Sequence, residues 1–180
     1  MRIAPYVQVA VKIGMKFFVL ISMLFVSLPA FAQDKDNPFR STAYPLPRFV
    51  TVSSNEAYVR AGPGKKYPIQ WVFKRAGIPV EITLEFDHWR KIRDYEGQEG
   101  WIHKSLLSGK RNAMVQSQDT VSMFRKPEQS SRLIALLEPA VIVKIDECKP
   151  VWCRIEASGY KGWVEKENLW GVYSKELIDD

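Results

Sequence analysis

One pattern is written twice in this chain. Asp87-His88-Trp89-Arg90-Lys91-Ile92 is followed by Gly100-Trp101-Ile102 and closes on Leu107-Ser108-Gly109. Later come Pro150-Val151-Trp152-Cys153-Arg154-Ile155, Gly162-Trp163-Val164 and Leu169-Trp170-Gly171, in the same order and at nearly the same spacing. The segments ahead of these blocks also correspond, Gly77-Ile78-Pro79-Val80-Glu81-Ile82 with Ala140-Val141-Ile142-Val143-Lys144-Ile145. A repeat of this length is one small domain rather than a solenoid unit. Whatever folds here must fold twice, and its function must come from that module.

The residues inside each copy favour short strands. Val50-Thr51-Val52, Tyr58-Val59, Gln70 to Phe73, Val80 to Phe86, Trp89 to Arg93 and Gly100 to His103 are β-branched or aromatic runs. Gly, Pro, Asn and Asp separate them, with Ala61-Gly62-Pro63-Gly64 as a loop and Asp94-Tyr95-Glu96-Gly97 as a hairpin turn. The second copy repeats the order, from Ala113-Met114-Val115 to Tyr160-Val164, with Ala157-Ser158-Gly159 as its last turn. Such closely spaced strands predict an all-β fold of small barrels or sandwiches. Each copy is near the lower size limit for a stable core. The six Trp all lie in the two copies, and each can bury a large area. Only Lys110 and Arg111 separate Gly109 from Asn112, so the modules should form a fixed pair.

The N-terminus reads as an export signal. Lys12 and Lys16 precede an uncharged run from Phe17 to Leu28, and Pro29-Ala30-Phe31-Ala32 ends it. This layout predicts a cleavable signal peptide over residues 1–32, cut between Ala32 and Gln33, and a periplasmic or secreted protein. The apolar run is shorter than the roughly 20 residues that span a bilayer, so no stable membrane insertion is expected after cleavage. The alternative is a retained anchor, and Met15 is an alternative start. Residues 33–47 are polar, carry Pro38, Pro45 and Pro47, and read as an extended linker.

The full chain has a formal net charge of +6, and Arg2, Lys12 and Lys16 leave with the signal against no acid. The remaining excess is too small to argue for nucleic acid. Cys148 and Cys153 flank a short connection between two predicted strands. In an exported protein that spacing reads as a disulfide, with free thiols as the alternative. His88 and His103 are the only histidines, and no His/Cys/Asp cluster has metal-ligand spacing. No nucleophile elbow or phosphate loop appears, so neither catalysis nor a cofactor is expected.

Val59-Arg60-Ala61-Gly62-Pro63-Gly64, a later Trp opening a strand, and Gly100-Trp101-Ile102-His103-Lys104-Ser105-Leu106-Leu107 together resemble the bacterial SH3 domain family. The resemblance covers residues 48–109 and, more weakly, 112–174, leaving 175–180 as a tail. In the second copy Met123-Phe124-Arg125-Lys126-Pro127 stands where the first has its glycine loop. The resemblance implies two tandem SH3-like β-barrels. It also implies a non-enzymatic exported protein that binds cell-wall peptidoglycan or another envelope component. An interaction scaffold docking one envelope or host protein is the second reading, and a wall hydrolase of unrecognised type the third.

SH3 domains of signalling proteins hold peptides in an aromatic groove. By strand position, Trp89, His103 and Leu106 take the groove places in the first copy, and Tyr58, Tyr67 and Trp71 extend it around the glycine loop. The corresponding residues of the second copy are Trp152, Glu165 and Asn168, which predicts a groove mostly lost there. Trp101 and Trp163 read as packing residues. Arg60 is expected to pair with a carboxylate beneath the loop.

Overall fold

The computed structural model describes Thr42–Asp179; residues 1–41 and 180, and with them the Ala32/Gln33 junction, lie outside the described residues. The described residues form two sheets of seven strands each. The first contains β1 (Arg48–Val52), β2 (Ala57–Arg60), β3 (Ile69–Phe73), β4 (Pro79–Phe86), β5 (Trp89–Arg93), β6 (Glu99–His103) and β7 (Leu107–Ser108). The second contains β8 (Asn112–Val115), β9 (Val121–Phe124), β10 (Leu133–Leu137), β11 (Ile142–Cys148), β12 (Trp152–Ala157), β13 (Tyr160–Glu165) and β14 (Leu169–Trp170). A 3-10 turn precedes the last strand of each, Lys104–Leu106 and Lys166–Asn168.

The sheet orders are β3-β2-β6-β5-β4-β1-β7 and β10-β9-β13-β12-β11-β8-β14, the same topology twice. The repeat in sequence is therefore a repeat in space. Even the irregularities recur: the register slips between Ile82 and Leu84 in β4 and between Ile145 and Glu147 in β11. A bulge adds local twist and bends its strand, which helps a short sheet curl into a barrel.

Period-two burial builds each core. Val52, Val59, Val80, Ile82, Ile92 and Ile102 fill the first barrel. Val115, Met123, Val143, Ile145, Ile155 and Val164 belong to the corresponding core of the second. Each such side chain contributes about 1.5–3 kcal/mol on burial. The disulfide Cys148–Cys153 closes the β11–β12 hairpin, with Cα atoms 4.1 Å apart. At the next hairpin, Ser158 and Gly159 take φ of 49° and 82°, the left-handed pair of a tight two-residue turn.

The join is a contact, not a hinge. Thr51 Oγ1 donates to the Lys110 carbonyl at 2.6 Å, and Asn112 Nδ2 donates to the Gly77 carbonyl at 2.9 Å. Phe49 of β1 meets Trp170 of β14 edge-on, with ring centroids 5.0 Å apart. Both ends of the described chain are held as well. Leu46 packs against the first core, and Ile178 pairs with Cys148 through backbone hydrogen bonds.

Candidate functional site

The β2–β3 hairpin arm carries the glycine loop at its tip. A Cβ on Gly62 would lie 2.5 Å from Cδ1 of Tyr67, so the ring can lie against the loop only because residue 62 is glycine. Arg60 Nη1 donates to the carbonyls of Tyr67, at 2.8 Å, and Lys65, at 3.3 Å. This corrects the expected carboxylate partner. The tight loop turns its carbonyls inward, and they satisfy the guanidinium themselves.

Asp87, with φ of 48°, turns the chain from β4 into β5, with His88 in the turn and Trp89 opening the new strand. Trp89 pairs in register with His103 of β6, and their rings meet edge-to-face at 5.4 Å. The His88 ring lies 6.0 Å from that of His103. The backbone N–H of Lys104 donates to the His88 carbonyl at 2.9 Å, which ties the 3-10 turn to the β4–β5 turn. His103 Nδ1 lies 2.8 Å from Ser105 Oγ and accepts from the Ser105 N–H, so it caps the turn. Burial, with the neighbouring His88, Lys65, Lys104 and Arg90, holds the His103 pKa below its usual 6.5. This favours its neutral imidazole, with Lys65 and Lys104 supplying positive charge nearby.

Of the six residues proposed from sequence, Trp89 and His103 are brought into direct ring contact. Tyr58 stands exposed on β2 beside the Glu56–Lys74 ion pair. Tyr67 is half-buried against the glycine loop. Trp71 and Leu106 pack against the first core. Trp71 meets Phe73 edge-on at 6.2 Å, and its indole Nε1 is buried without a hydrogen-bond partner. Trp71 and Leu106 are both half-buried, with one side on the core. Sequence reasoning left out His88, Lys65 and Lys104. Adjacency to Trp89 could have pointed to His88; Lys65 comes near only because the loop folds back.

The second barrel has a cleft near the corresponding position. Trp152 pairs in register with Glu165 as Trp89 does with His103, and its ring meets that of Phe124 edge-on at 5.9 Å. Beside them a cleft of about 460 Å³ is lined by Thr120, Ser122, Phe124, Gln129, Glu165 and Asn168, among others. Phe124, in the segment without glycines, is its one aromatic lining residue.

Two small barrels of identical topology, each with a Trp opening a strand opposite the residue that starts a 3-10 turn, define a tandem SH3-like fold. The chain matches the bacterial SH3 domain family over residues 53–109 and again over 117–171, and it belongs to that family. Among curated proteins it is similar to the putative N-acetylmuramoyl-L-alanine amidase YrvJ of Bacillus subtilis (strain 168), at 25% identity over 175 residues. That match takes in 92% of this chain and 32% of the relative, so the chain spans about a third of the relative's length. Among solved structures, NlpC1 from Trichomonas vaginalis aligns with 72% of this chain and 47% of its own, at 15% identity and a TM-score of 0.33. NlpC2 from the same organism aligns with 71% and 49%, at 16% identity and a TM-score of 0.33.

Proposed function

We propose that this protein is a non-catalytic, extracytoplasmic binder of cell-wall peptidoglycan, and that the Trp89–His103 groove of the first barrel makes the contact. The observation that carries the reading is the edge-to-face pair itself, placed where Lys65 and Lys104 add positive charge. A half-buried indole offers an apolar face to a sugar ring or a peptide, and the cations favour ligands bearing carboxylates. Peptidoglycan combines both features. Support also comes from the name of the curated relative, an amidase of the N-acetylmuramoyl-L-alanine bond.

Sedimentation with purified sacculi tests it. Wild-type protein is expected in the pellet, with Trp89→Ala bound about tenfold less and the wild-type fraction falling as salt screens the rim. Wild type remaining in the supernatant at low salt would overturn the reading. An equal pellet for wild type and Trp89→Ala would remove the groove from it.

A further inference from the structure

The two barrels differ in charge around the Trp that opens each strand. His103 of the first barrel and Glu165 of the second occupy the same place, each opposite the groove Trp and each opening a 3-10 turn. Lys65 and Lys104 add positive charge near the first. The second receives a neutral donor instead: Gln129 Nε2, from the β9–β10 loop, donates to Glu165 Oε1 at 2.7 Å. Among the described residues no cation pairs with Glu165. The neighbouring Lys166 is turned away, with its ammonium donating to the carbonyls of Glu176, at 2.8 Å, and Ser174, at 3.4 Å.

We propose that the second barrel has its own binding site, for a peptide bearing a primary ammonium group. Three features converge on it. Glu165 is half-buried, and Gln129 fixes its orientation, so a carboxylate stands ready at the cleft without a counter-ion. Phe124 lines the same cleft as Glu165 and meets Trp152 edge-on, and an aromatic face attracts a cation. Thr120, Ser122 and Asn168 add hydroxyl and amide groups along the cleft, suited to the peptide bonds that follow an amino terminus. An anionic peptide would meet Glu165 unfavourably. The barrels thus present opposite preferences on one fixed frame, carboxylate at the first and ammonium at the second. The second site stands or falls independently of whether the first binds the wall.

The test is an NMR titration of the protein with trialanine amide, which has a free amino terminus and no carboxylate, against its N-acetylated form. The free amine is expected to shift the Trp152 indole and Gln129 side-chain resonances. Acetylation and Glu165→Gln should each weaken binding about tenfold, the scale of one desolvated charge or cation–π contact. Equal affinity for the acetylated peptide, or no shift at millimolar peptide, would overturn the proposal. So would shifts confined to Trp89 and its neighbours. The acetylated control uses wild-type protein, so it decides the matter even if Glu165→Gln fails to fold.

Discussion

The Tyr173 hydroxyl donates a 2.7 Å hydrogen bond to the Glu81 carboxylate, joining the segment after the second barrel to a strand of the first. Glu81 is 2% exposed and also receives the Arg93 guanidinium. Burial and the neighbouring carboxylates of Glu81 and Glu176 push the Tyr173 pKa far up, so the hydroxyl stays protonated and remains a donor. Phe49 packs on the same ring at 4.7 Å. Tyr173→Phe keeps the ring and removes only the donor. It should cost about 2 kcal/mol, the range for a hydrogen bond to a charged group. Denaturant unfolding measures this. No loss would mean that the ring packing alone holds the barrels together.

Glu85 should govern acid stability in the first barrel. It is fully buried between Arg48, at 2.5 Å, and Arg90, at 3.3 Å. Burial pushes its carboxyl up, but hydrogen bonds from Arg48 and Thr42 and the charge of Arg90 prevail and hold the pKa below the usual 4.5. A carboxyl depressed in the folded state adds stability above 4.5, and that stability drains away as pH falls from 4.5 through the lower folded value. Glu85→Gln should lose about 3–5 kcal/mol at neutral pH, because it leaves Arg90 buried beside a neutral amide. Thermal melts from pH 7 to pH 3 should show the variant less sensitive to acid than wild type. A parallel pH dependence would assign the acid loss to other groups.

The disulfide should matter in proportion to its short loop. Cys148 and Cys153 enclose only the β11–β12 turn. Loop-closure entropy for so short a ring amounts to about 2 kcal/mol. The paired Cys148→Ser, Cys153→Ser variant should fold and unfold at lower denaturant by that amount. Reduction of the wild type should match it. A far larger loss would mean that the bridge holds the Ile178 segment, which pairs with Cys148, as well as the hairpin.

Each Gly-Trp pair needs its glycine for space. A Cβ at Gly162 would sit 2.7 Å from the Phe124 carbonyl oxygen and 2.6 Å from Cγ of Met123. At Gly100 it would sit 2.5 Å from Cγ1 of Val59. Gly162→Ala must displace backbone as well as side chain, and should cost about 1–3 kcal/mol or more. Thermal unfolding of Gly162→Ala beside the exposed control Gly109→Ala checks this. Equal melting of the two would refute the steric argument.

Most of the architecture was legible because a barrel of this size is built by periodicity. Val80, Ile82, Ile92 and Ile102 alternate inward, and their counterparts Val143, Ile145, Ile155 and Val164 do the same, so two copies of one strand pattern sufficed to expect two barrels. The glycine loop and the Gly-Trp pairs were legible for a related reason, since each marks a place where a side chain would not fit. The groove was legible only in part. Trp89 and His103 could be assigned from strand position because antiparallel register fixes cross-strand partners. Trp71 and Leu106 could not be told from groove residues, since an aromatic or a Leu on a half-buried strand can face either side.

The doubling, the strand set, the Cys pair and the Trp that opens β5 and β12 follow from local propensity and spacing, so the residues alone specify them. What surrounds each Trp is set by packing between distant segments. Loop closure brings Lys65 near His103, and Gln129 to Glu165, from residues distant along the chain. Phe124 meets Trp152 only when β9 packs beside β13. Charge and shape in a groove are sums over such long-range neighbours, and no window of sequence contains them.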